Sequence, residues 1–158
     1  MKTALTLILA LAGATFAAQA QEIKGDAARG ATLNATCIGC HGIAGYQASF
    51  PEVYRVPAIS GQNDKYIIAA LNAYKKGERK HPTMRAVAVS LTEQDIADLA
   101  AYYATHGGVP PATTASKAPP PDVAALLAKG ACASCHGENY NMPIDGSYPK
   151  IAGQYPDY

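Results

Sequence analysis

The chain has 158 residues, 13 basic and 12 acidic, for a formal net charge of +1. That balance gives no electrostatic footprint for nucleic acid. No apolar run is long enough to cross a membrane as a helix, so any membrane association is at most peripheral.

In chain order, residues 1–20 come first. Lys2, an apolar stretch from Ala4 to Ala12 and the Ala18-Gln19-Ala20 ending read as a signal peptide cleaved after Ala20. The chain is therefore expected in the periplasm. Removing this segment takes away one lysine and no acid, leaving 12 basic and 12 acidic side chains.

An Ala-rich stretch from 26 to 36 follows, with Asp26 placed to cap a helix, and it runs into Cys37-Ile38-Gly39-Cys40-His41. The same pattern returns as Cys132-Ala133-Ser134-Cys135-His136 and uses the remaining cysteines. Two thiols at this spacing reach the two vinyl groups of one porphyrin, and the adjacent imidazole becomes the iron's proximal ligand. Each copy is thus a c-type haem attachment site. A zinc ribbon would place its two knuckles roughly 15–20 residues apart, whereas about ninety separate these. A thioredoxin-like pair would follow a strand. A disulfide within each pair, with an ordinary histidine beside it, is the remaining alternative. Haem propionates would make the loaded protein mildly acidic.

The first unit, residues 25–106, reads as helices with almost no strand. A helix after Asn63-Asp64 carries Ile67, Leu71 and Tyr74 on one stripe and stops at Gly77. The run Lys75 to Lys80 at its end is locally +3, which suits a solvated helix end or, alternatively, a haem-propionate or partner-docking patch. The last helix starts from Thr92, with Asp95 as a capping-box partner, and sets Ile96, Leu99, Ala100 and Tyr103 on one face before Gly107. Between these two helices, His81-Pro82-Thr83-Met84 shows no periodicity and reads as a loop. Met84 is the candidate sixth iron ligand, with His81 as a weaker rival more naturally placed on the solvent side. A thioether there favours reduced iron and raises the potential. So short a helical unit has a marginal core, to which a covalently held haem would add an apolar centre.

Residues 107–121 carry Pro110, Pro111, Pro119, Pro120 and Pro121 with one charge, the composition of a semi-rigid linker. Residues 122–158 form a second unit that repeats the first. Pro57-Ala58-Ile59-Ser60-Gly61-Gln62 is answered by Pro149-Lys150-Ile151-Ala152-Gly153-Gln154 at a similar distance after each haem motif. Met142, only six residues beyond His136, is too near to pass round a porphyrin edge and reads as an ordinary loop residue.

The order of these features resembles class I cytochrome c: the Cys-x-x-Cys-His motif, Pro57, Gly61-Gln62, the segment from Gly77 to Met84, then Leu91 to Tyr103. The duplicated form resembles the two-haem cytochrome c4 family. The resemblance implies an all-α fold of two cytochrome c domains in tandem and two covalently bound haem c groups. It implies covalent attachment at Cys37, Cys40, Cys132 and Cys135, with His41, Met84 and His136 as axial iron ligands. Pro57 and Pro149 match the proline whose carbonyl orients the proximal imidazole. Gly30 matches the small residue where the first and last helices cross, near Tyr102 or Tyr103. Tyr54, Arg55 and Arg79 are candidates for holding propionates.

By the repeat, Gln154 matches Gln62 and Tyr158 matches Tyr66, so the residues from Ile67 to His106 have no counterpart and the second domain is expected to be incomplete. The implied function is electron transfer without enzymatic activity, from a quinol-oxidising complex or a dehydrogenase to a terminal oxidase. Two other readings stand beside it. One is a cytochrome subunit of an oxidoreductase, such as a flavocytochrome sulfide dehydrogenase or an alcohol dehydrogenase. The other is a haem enzyme with an open iron, acting on peroxide or thiosulfate.

Overall fold

A computed structural model describes residues 23–105 and 118–158. The expected signal segment, the end of the first unit at His106 and Gly107, and most of the expected linker lie outside these residues. Among the described residues the regular structure is helical apart from one two-stranded ladder, and no helix among them is long and apolar enough to cross a membrane.

Helix α1 (Ala27–Leu33) starts where the Asp26 carboxylate accepts from the Ala28 and Arg29 amides at 2.8 and 3.3 Å. It is separated from α2 (Ala35–His41) by Asn34, so the single helix expected to lead into the haem motif is two. The break has a tertiary cause. Asn34 is 6 % exposed; its amide donates to the Tyr102 hydroxyl and its carbonyl accepts from the Tyr103 hydroxyl. Both tyrosines lie on the last helix of this unit. A short antiparallel ladder, β1 (Gln47–Ala48) with β2 (Tyr54–Arg55), follows and was not legible in so brief a sequence.

Helix α3 (Asp64–Lys76) ends at Gly77, whose φ of 78° is the left-handed conformation that a Schellman cap needs. Glu78 N–H closes that cap onto the Ala73 carbonyl at 2.8 Å. The segment expected to be a loop is a helix, α4 (Pro82–Val89). Pro82 occupies its first turn, where a missing N–H costs nothing. His81 caps it, accepting from Met84 N–H through Nδ1 at 3.2 Å. A histidine cap lies outside the usual Ser/Thr/Asp/Asn set, which explains why the start was not read.

Helix α5 (Glu93–Thr105) opens with the expected capping box: Asp95 N–H donates to the Thr92 hydroxyl and Thr92 N–H to the Asp95 carboxylate, at 3.1 and 3.0 Å. Ile96, Leu99, Ala100 and Tyr103 are buried as the stripe required. Helix α1 crosses α5 at Gly30, where a Cβ would overlap the Asp98 carbonyl oxygen and come within 2.8 Å of Tyr102 Cβ. Asp98 is fully buried in this crossing and accepts from Asp26 N–H, Arg29 and Gln94.

The second unit has α6 (Pro121–Lys129) and α7 (Ala133–His136), followed by turns. It lies against the first unit through polar contacts from the repeated Pro-x-Ile-small-Gly-Gln segments and its last residues. Arg55 pairs with Asp157 at 3.1 Å, and the Tyr155 hydroxyl accepts from Gly45 N–H at 2.8 Å.

Candidate functional site

Helix α2 ends on His41, and its last turn carries Cys37 and Cys40. These three residues line one cavity of about 240 Å³. Its other walls come from α3, α4 and α5, with Leu71, Met84, Val87 and Leu99 among them, and from Gln154 and Tyr158 of the second unit. His41 Nδ1–H donates to the Pro57 carbonyl at 2.9 Å. This bond fixes the tautomer and leaves Nε2 without a proton, as an iron ligand requires. Burial pushes the His41 pKa down; the Pro57 bond opposes it, and His81 adds to it. The ring is therefore neutral near pH 7. Burial also raises the Cys37 thiol above its ordinary value, with the Thr36 hydroxyl opposing. A redox-active or zinc-binding cysteine needs the opposite shift.

An empty cavity this apolar would cost stability in a unit of this size. The fit to a porphyrin is good: an apolar chamber, two thiols, an imidazole of fixed tautomer and a half-buried thioether all meet in it. Helix α4 sets Met84 there. His81 is neither on the solvent side nor free: its Nδ1 is used by the Met84 amide, and its ring is edge-on to Tyr54 and Tyr74 at 6.3 and 6.4 Å.

Of the propionate candidates, Tyr54 and Arg79 line the cavity and Arg55 does not; it is held by Asp157. Arg79 donates to the hydroxyls of Tyr66 and Tyr158 at 2.9 and 2.8 Å and lies 4.7 Å over the Tyr74 ring. Burial works against its charge, yet Tyr66 and its other tyrosine neighbours raise its pKa further.

In the second unit, His136 follows Cys132 and Cys135 on α7, and its Nδ1–H donates to the Pro149 carbonyl at 2.8 Å. The histidine of each Cys-x-x-Cys-His segment thus finds its proline through the repeat. Met142 is 72 % exposed and does not line the cavity. Gln62 and Gln154 were visible only as matching letters of the repeat; the structure shows each reaching into the other unit.

Helices around a cavity with a Cys-x-x-Cys-His corner define a c-type cytochrome, and comparison with known proteins agrees. The cytochrome c family model matches residues 27–106. Cytochrome c4 of Azotobacter vinelandii is 31 % identical over 100 % of this chain and 79 % of its own length. The crystal structure of reduced recombinant cytochrome c4 from Pseudomonas stutzeri superposes with a TM-score of 0.58 at 28 % identity, covering 82 % of this chain and 74 % of that one. The cytochrome subunit of sulfide dehydrogenase from Chlorobaculum tepidum is 35 % identical over 48 % of this chain and 64 % of its own length. The chain therefore belongs to the cytochrome c family, among the cytochromes c4. Covalently bound haem c comes with that membership. The protein is an electron-transfer haemoprotein, not an enzyme.

Proposed function

We propose that this chain is a periplasmic two-haem electron carrier that takes single electrons from a quinol-oxidising complex or a dehydrogenase and delivers them to a terminal oxidase. One haem c is held by Cys37, Cys40 and His41 with Met84 as sixth ligand, within residues 25–106. The other is held by Cys132, Cys135 and His136, within residues 122–158, and residues 107–121 link the two. Bound haem c supplies an iron centre that exchanges one electron.

The observation that carries the reading is the doubled proximal arrangement: His41 to Pro57 at 2.9 Å and His136 to Pro149 at 2.8 Å. A histidine in a structural role has no reason to repeat this bond after each Cys-x-x-Cys. The chain's own task is to fix each imidazole through its proline carbonyl, keep His41 neutral and enclose the first haem in apolar walls. Export is supported by the sequence of residues 1–20.

The test is the haem content of the mature protein. Mass spectrometry and the alkaline pyridine spectrum should give two covalently bound haems per chain, falling to one in Cys132→Ala/Cys135→Ala. A single haem in the parent protein would refute the two-haem reading.

The match to the sulfide dehydrogenase subunit favours a second reading, in which the chain is the cytochrome subunit of a dehydrogenase. Purification as a stable complex with a larger catalytic subunit would establish it.

A further inference from the structure

The repeated Pro-x-Ile-small-Gly-Gln segments face each other across the two units, and their glutamines are exchanged. Gln154 Oε1 accepts from Ala58 N–H and its Nε2–H donates to the Ala58 carbonyl, both at 3.0 Å. Gln62 Oε1 accepts from Lys150 N–H at 2.8 Å, and its Nε2–H donates to the Lys150 carbonyl at 2.9 Å. The symmetry extends to the next residue, since each glutamine oxygen also accepts its own successor's amide, Asn63 at 3.0 Å and Tyr155 at 3.1 Å. The glycine before each glutamine has a left-handed backbone, Gly61 at φ 73° and Gly153 at φ 81°. That conformation turns both segments in the same way. Gln62 is 7 % exposed.

Ala58 and Lys150 directly follow the two prolines that hold the proximal histidines. The Pro57 carbonyl and the Ala58 N–H belong to one peptide group, as do the Pro149 carbonyl and the Lys150 N–H. Two continuous chains result. One runs from His41 Nδ1–H to the Pro57 carbonyl, through that peptide to Ala58 N–H, and on to Gln154 Oε1 of the second unit. The other runs from His136 Nδ1–H through the Pro149–Lys150 peptide to Gln62 Oε1 of the first. A peptide whose N–H is bonded to a good acceptor becomes a stronger acceptor at its carbonyl. The stronger bond raises the basicity of the imidazole, which favours the oxidised state of any iron that the imidazole holds.

We propose that Gln154 and Gln62 are positioning residues acting across the interface: each polarises the peptide that holds the other unit's proximal histidine and lowers the potential of the other unit's haem. Docking of the two units and tuning of the two potentials are then one event. This rests on the two-haem reading.

The test uses the loaded full chain, with haem content measured first, so that a one-haem protein is recognised as failure of that reading and not of this one. Gln62→Met and Gln154→Met keep side-chain length and remove the amide. Each is followed by redox titration with proton NMR, in which each oxidised haem gives its own shifted methyl resonances. The expected result is crossed. Gln62→Met raises the potential of the haem at Cys132/Cys135 and leaves the other nearly unchanged; Gln154→Met does the reverse.

Asp157→Asn, which weakens the Arg55 pair at the same interface without touching either chain, should move neither potential. If a methionine variant loses haem or fails to fold, Gln62→Asn and Gln154→Asn, one methylene shorter, provide the same readout. Shifts confined to the haem of the mutated unit, equal shifts at both haems, no shift, or the same shift in Asp157→Asn would each overturn the proposal.

Discussion

Met84 and His81 divide one short segment between them: both line the cavity, and the His81 imidazole also caps the helix that carries Met84. Met84→Ala should abolish the near-infrared sulfur-to-iron band of the oxidised protein and lower the potential of the first haem; retention of the band would place the ligand elsewhere. His81→Ala should keep the band, because His81 acts on Met84 N–H and not on its sulfur. Its cost should appear as stability, about 1 kcal/mol from the lost cap, read as a lower melting temperature.

A second residue-scale consequence concerns acid. Asp95 is lowered to about 2, first by the Thr92 hydroxyl, then by the Thr92 amide and Arg29. Burial would raise Asp98, but the Asp26 amide, Arg29 and Gln94 outweigh it and hold it below the ordinary carboxylate range. A carboxyl with a folded pKa below its unfolded value of roughly 3.9 contributes stability that is complete above that value and is lost as pH falls through the folded one. Melting temperature followed by circular dichroism should therefore drop most steeply between about pH 4 and pH 2. The drop should be shallower in Asp95→Asn; an unchanged slope would remove Asp95 from the account.

At the scale of elements, the contact between α1 and α5 holds the first unit together. Gly30→Val should force the two helices apart, since even a Cβ collides with the Asp98 carbonyl. A loss of about 1–3 kcal/mol is the usual cost of such overpacking, measurable by thermal or denaturant unfolding of the loaded protein. A change within error would mean that the crossing is looser than it looks. Helices α3 and α5 were legible because each combines a long apolar stripe with strong end signals, Gly77 for one and Thr92/Asp95 for the other. Helix α4 was not. It has eight residues, begins at a proline and is capped by a histidine, so periodicity had too few turns to register and the start signal was of an unusual kind. The split between α1 and α2 depends on Asn34 meeting two tyrosines some seventy residues away, which no local pattern encodes.

Across the whole molecule, the two Cys-x-x-Cys-His segments differ in the methionine near them: Met84 lines the cavity beside the first. The described residues after 118 contain one methionine, and Met142 is 72 % exposed. On the two-haem reading, a haem held by His136 should take no thioether from residues 118–158 and should bind carbon monoxide on reduction, while Met84 should keep the first haem closed. Carbon monoxide difference spectra should show binding at about one haem of two; none at all would mean that the second iron is already six-coordinate.

The sequence by itself determined the chemistry. Cys-x-x-Cys-His is a local constraint, set by the span between two vinyl groups, so five adjacent residues suffice to write it twice. It also determined the longer helices, whose stripes and caps are local too. Only the tertiary structure decided what each proximal proline is bonded to on its far side. Pro57 and Pro149 were readable as partners of His41 and His136, but the glutamines behind them come from the opposite unit, at separations of 96 and 88 residues. Hydrogen bonds between segments that far apart in the chain depend on how two folded surfaces meet. A repeat can show that two segments are alike, but not that they face one another.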